Sequence, residues 1–270
     1  MTDALTPADS AGQPWAGRTF DAHPTTFAGD DGAAPELLVA ALNRFHELVA
    51  SQPTAGSIAD LLAAQTAVVD AVRDVRLLVP LLAHAGETGV DDHGRTVDKT
   101  QELSIVTVTA PDGRAVQPAF TSTEAMARWN PKARPIPTPA RRVALAAAGE
   151  STDLIILDPT SPTEFALRRP AVWAIAQATP WVSPLGDTAV ARAFAGSAAG
   201  ERDIQSIRLR AGDPSARLVG TEVIVELTLV PGLDRDRLAA LLAALQQRWA
   251  ESEVIAGAVD SMSLKLLQGS

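Results

Sequence analysis

Apolar residues at Leu37, Leu38, Ala41, Leu42, Phe45 and Val49 recur with the spacing of one helix face, and Pro35 stands where a first helical turn tolerates proline. A second helix is predicted from Ser57, with Asp60 three residues on and Leu61, Leu62, Val68, Val69 and Val72 as its apolar stripe. The two are expected to pair. The period then shortens to that of strands. Val75 to Ala83 is β-rich but holds Pro80, which lacks a ladder donor, so an edge strand or a bulge is expected. Leu103 to Thr109 alternates, Pro111, Asp112 and Gly113 supply a turn, and Ala115 to Phe120 returns, which predicts an antiparallel pair.

A short helix is predicted near Ser122 to Trp129, after which residues 130–139 read as a proline-punctuated connection. Thr138 and Pro139 open the next helix and Gly149 stops it. Leu154 to Leu157 is wholly apolar and suits a strand buried on both faces. A helix is expected to follow, kinked or broken at Pro170, with Arg168 and Arg169 at a solvated helix end. Proline and glycine around Trp181 to Pro184 mark a domain boundary. Beyond a helix near Asp187 to Gly196, Ile204 to Arg210 and Thr221 to Val230 form a hairpin. In its second strand Val223, Val225, Leu227 and Leu229 share one face, while Glu222, Glu226 and Thr228 take the other. Asp234 caps a helix carrying Leu238, Leu241, Leu242, Leu245 and Trp249, and both Val254 to Val259 and Met262 to Leu267 read as strands.

The fold class expected is α/β (α+β). A mobile tail occupies residues 1–34, although Trp15, Phe20 and Phe27 suggest that part of it docks. A mixed-sheet domain with flanking helices spans 35–180, and a smaller α+β domain with a hairpin and one covering helix spans 181–270. A chain of 270 residues is long for a single domain.

Composition removes several functions. The formal net charge of −9 opposes approach to nucleic acid and to anionic membranes, so neither is an expected partner. Zero cysteines exclude disulfides, thiol catalysis and thiolate metal sites. The acidic start has no basic n-region or apolar h-region, and no run spans a bilayer, which points to a soluble cytoplasmic protein. His23, His46, His84 and His93 show no metal-ligand spacing, and no phosphate-binding glycine loop or G-x-S-x-G elbow occurs. No catalytic residue, metal or cofactor is expected.

Two strand-to-helix junctions hold the candidate site. After Phe120, Thr121 is placed as a helix cap with Glu124 closing the box, and Ser122 and Thr123 add hydroxyls beside backbone donors that favour an anion. After Leu157, Ser161 is placed as a second cap, with Pro162 at the first helical position and Glu164 closing that box. Ligands of open α/β sheets lie at the carboxyl ends of strands, so both junctions on one edge would make one crevice. Lys132, Arg134, Arg141 and Arg142 lie between them in sequence, with Arg141 as the candidate anion contact. Asp158 reads as a turn opener, with phospho-acceptor or magnesium ligand as the rival roles.

The segments LLVPLLA, PAFTSTEAMARWNP and the buried strand ending in Asp158 and Pro159 resemble the SseB (serine-sensitivity-enhancing B) family N-terminal domain, best from Leu77 to Ile175. Beyond Trp181 the chain is similar to the more variable C-terminal domain of that family. The resemblance implies a cytoplasmic bacterial protein linked to serine sensitivity, and it implies no catalytic residue. Relatives often carry Asn-Pro where this chain has Asp158 and Pro159. Three readings follow from the sequence: a non-catalytic binding or regulatory protein with a protein partner, an enzyme or sensor acting on a small anionic amino-acid-related metabolite, and a homo-oligomer assembled through the second sheet.

Overall fold

The computed structural model describes residues 27, 29–51, 58–84, 88–90, 96–98, 102–149 and 152–269. Gly32–Ser270 forms one compact unit, and Met1–Asp31 is a separate one in which the amide of Asp30 donates to the carbonyl of Phe27. Most of the expected tail, the Ser57 cap, His23 and His93 lie outside the described residues.

The elements run α1 (Glu36–Ala50), α2 (Ile58–Arg73), β1 (Arg76–His84), β2 (Thr88–Val90), β3 (Thr96–Asp98), β4 (Glu102–Ile105), β5 (Val108–Thr109), β6 (Ala115–Ala119), α3 (Thr123–Trp129), β7 (Arg134–Pro139), α4 (Ala140–Gly149), β8 (Ile155–Leu157), β9 (Phe165–Leu167) and α5 (Arg169–Gln177). They continue as α6 (Thr188–Ser197), β10 (Ile204–Ala211), β11 (Val223–Leu229), α7 (Arg235–Glu251), α8 (Glu253–Ala258) and β12 (Met262–Gln268). The result is a mixed α+β fold.

β1 is not an edge. It pairs antiparallel with β7 on one side and with β4 on the other, and Leu78 exchanges backbone hydrogen bonds of 2.8 and 2.9 Å with Phe120. Backbone groups alternate sides along a strand, so Pro80 faces the same side as Leu78. On that side β4 begins only at Leu81, and the missing N–H takes nothing from the β7 ladder. The Leu78 bridge joins this sheet to a second one, ordered β5-β6-β8-β9, in which β6 and β8 run parallel. The expected antiparallel pair is confined to β5 and β6, because residues 102–105 leave to pair with β1. Residues 134–139 form the edge strand β7 rather than an irregular connection.

Two further expectations give way to the structure. Leu157 leads not into a helix but into a hairpin with β9, because Asp158 and Thr160 take left-handed φ values of 45° and 65° and reverse the chain. Pro170 therefore breaks no helix, and stands in the first turn of α5, where its fixed φ is favourable. Where Val254 to Val259 reads as a strand, Glu253–Ala258 is a helix, since Ile255 and the C-cap Val259, four apart, both enter the core and Ser252 caps the first turn.

One core combines α1, α2, α4 and α5 with β1, β6, β8 and β9 around Phe45, Leu77, Leu157, Phe165 and Ile175. The other seats Val190, Phe194, Leu241, Leu245, Trp249 and Ile255 on the β10-β11-β12 sheet, so three helices cover that face rather than one. Between them lies Arg168, which is buried rather than solvated, with 4% of its surface exposed. Its guanidinium donates to Asp213 (2.7 Å), the carbonyl of Gly220 (2.9 Å), Asp260 (3.0 Å) and Ser261 (3.1 Å). Arg114 is a second cation on Asp260, at 3.0 Å. Removing one partner of a buried ion pair strands the other charge. Arg168→Met should therefore lower the urea unfolding free energy by about 3–5 kcal/mol, and a loss below about 1 kcal/mol would show that the seam does not depend on it.

Candidate functional site

Because β6 and β8 are parallel neighbours, with Ala119 beside Leu157, their carboxyl ends emerge together. Phe120 leaves β6 fully buried, its ring 5.2 Å from that of Trp129. Thr121 and Asp158 are 3% and 1% exposed, and they bind one another. The amide of Thr121 donates to Asp158 Oδ1 at 2.8 Å and its hydroxyl to Oδ2 at 2.7 Å, while the Thr163 hydroxyl donates to Oδ2 at 3.0 Å. Burial pushes the Asp158 carboxyl above its ordinary value, against the opposing pull of these donors and of Arg128. Both oxygens of the acid are thus committed within the fold.

The expected caps sit one residue away or are absent. Ser122, not Thr121, caps α3, its Oγ accepting from Ala125 N at 3.1 Å. Glu124 closes no box and lies on the exposed face, 3.6 Å from Arg128. The amide of Thr123 donates to the carbonyl of Gly32 at 2.9 Å. Gly32 has φ 76°, and an added Cβ would stand 2.6 Å from Thr123 Cγ2, so only glycine fits. Arg76 donates to the carbonyls of Thr121 and Ala33. The amides of Thr121, Thr123 and Ala125 are therefore taken from within the chain. Ser161 caps no helix but braces the β8 to β9 turn, accepting from Thr163 N at 3.1 Å, while Glu164 accepts from Thr160 N at 2.6 Å. Arg141 is exposed in the first turn of α4 and makes no bond to this cluster among the described residues. Phe120, Thr121, Ser122, Asp158 and Ser161 come together, Glu124 stands at their rim, and Arg141 does not join them.

The sequence reading missed Thr163, the second hydroxyl on Asp158, and the acid cluster around Arg168. Its one sign was a charge directly behind the wholly apolar β9. Within that cluster Glu222 accepts from the Asp260 amide at 2.7 Å through Oε2, and its buried Oε1 has no partner among the described residues. Burial raises its carboxyl to about 7, helped by the nearby charge of Asp260 and opposed by the Asp260 amide, Arg168 and Arg169. No group of three metal-ligating side chains occurs among the described residues. Nor is any helix among them long and apolar enough to cross a membrane.

Fold and site together define a mixed α+β protein whose polar groups at the central strand ends close the fold upon itself. Residues 58–174 match the family model of the SseB protein N-terminal domain, a stretch that runs from α2 into α5. No match was found among curated proteins or among solved structures.

Asp158→Ala leaves three donors unpaired and should lower stability by about 2–3 kcal/mol. Asp158→Asn keeps an acceptor for Thr121, offers an amide to the Thr163 hydroxyl and tolerates the left-handed backbone, so its stability should stay within about 1 kcal/mol of wild type. Equal losses for the two variants in urea titrations would contradict the role assigned to these bonds. For Glu222, a folded value above the ordinary 4.5 means that the native state holds the proton more tightly. Its contribution is full below about 4.5 and fades as pH rises to about 7. Glu222→Gln should flatten that slope and raise stability at pH 8 by up to about 3 kcal/mol; an unchanged slope would refute the burial effect.

Proposed function

We propose that this is a non-catalytic binding or regulatory protein, with a protein partner recognised at the outer rim of the α3 and β8 to β9 junction. The observation that carries this reading is the closure of the Asp158 cluster. An acid at a strand end with both oxygens held by Thr121 and Thr163 is poorly disposed to act as nucleophile, base or cation ligand. The same closure holds the two junctions in fixed register, which presents the exposed Glu124 and Arg128 side chains, with Ser161 nearby, from a rigid base. A rigid base lowers the ordering penalty on binding.

The test inverts the rim charges with the double variant Glu124→Arg, Arg128→Glu, leaving the buried cluster intact. Cross-linking with the full chain should yield a defined partner for wild type and at least about tenfold less of it for the variant, at unchanged circular dichroism. Equal capture of that partner by both would remove the rim as the recognition surface. Turnover of an amino-acid-related metabolite by the purified protein would replace the non-catalytic reading with the enzymatic one.

A further inference from the structure

We propose that the cavity between α7, α8 and β12 is a binding site for a small carboxylate carrying an apolar tail. It is an open cleft of about 380 Å³, within the range of small-molecule sites. Trp249, Ile255, Val259, Met262 and Leu264 give it an apolar wall, and the first three of these are buried side chains of the second core. Such a wall favours a tail rather than a wholly polar solute.

Arg169 supplies the charge. From the first position of α5 it reaches across to α8, where Nη2 donates to the carbonyls of Ala256 at 2.8 Å and Val259 at 2.9 Å. Those acceptors are neutral. Next to it Arg168 is bound by two carboxylates, whereas Arg169 has no carboxylate at ion-pair distance among the described residues. Its Nε and Nη1 donate no hydrogen bond among them either. A half-buried guanidinium with no carboxylate at ion-pair distance favours an anion, and a carboxylate matches its planar donors. One cation beside an apolar wall fits a singly charged head better than a phosphate.

Arg169 also borders a broader hollow on the other side of α8, where Trp173 and Val254 are exposed. The assignment to the α7 side therefore needs a local reporter. Met262 lines the proposed cavity, whereas Met126 lies in the cluster around Phe120. The full chain, labelled with ¹³C at the methionine methyls, is titrated with 4-phenylbutyrate and with the neutral 4-phenyl-1-butanol.

The Met262 resonance should shift saturably with the acid while that of Met126 stays in place. The alcohol should bind at least about tenfold more weakly, and Arg169→Gln should weaken the acid by a similar factor. Because Arg169 also secures α8, a second variant, Ala250→Phe, fills the mouth of the cavity with the cation retained and should abolish the shift. Equal affinity for acid and alcohol, a response of the Trp173 indole without Met262, or binding that survives Ala250→Phe would each overturn the proposal. So would the absence of any saturable shift at millimolar acid.

Discussion

The two halves of this protein meet across a guanidinium that has almost no water. Arg168 receives its counter-charges from the hairpin that carries Asp213 and from the turn that carries Asp260, so the first core presents the cation and the second presents both anions. Moving these charges out of water is unfavourable unless every donor is matched, and here the match requires the Gly220 carbonyl and the Ser261 hydroxyl as well. An arrangement of this kind defines relative position more sharply than apolar contact does, because a displacement of an ångström breaks several bonds at once. Glu222 shows the other side of the same setting. It sits among the charges with one oxygen unmatched, and burial raises its affinity for a proton.

The Asp158 cluster follows a similar logic on a smaller scale. Parallel strands have no hairpin to fix where their ends stand, so β6 and β8 need some other tie at their exits. Thr121 and Thr163 provide it through one carboxylate. The hydroxyl-rich stretch that looked like a cradle for a ligand is therefore largely internal. Ser122 caps its own helix and Thr123 bonds to the incoming chain at Gly32. The outer side of α3, with Glu124 and Arg128, stays exposed.

Much of the architecture was legible in the sequence, and the failures share a cause. The periodicity of α1, α2, α4 and α7 survives because each helix buries one stripe, which a linear pattern records. The family resemblance was also readable, over nearly the stretch that matches. Ser161 and Pro162 imitate a helix start closely, yet left-handed Asp158 and Thr160 turn the chain back, and no spacing rule registers that. Val254 to Val259 is short enough for the strand and helix periods to be confused. Arg168 looks solvated in the sequence because its partners lie 45 and 92 residues away, a separation that local pattern does not encode. At the candidate site Thr121 and Asp158 do stand together as their strand ends suggest, but their partners were set by tertiary pairing that local spacing does not record.

The prolines of β7 carry a consequence of their own. Pro135, Pro137 and Pro139 share one phase of the strand, while Arg134, Ile136 and Thr138 stand opposite Leu81, Val79 and Leu77 on β1. The missing donors thus fall along the outward margin, where an approaching chain would look for them. That margin is barred to strand addition, and self-association by sheet extension would be diverted to proline-free outer strands such as β10 and β12.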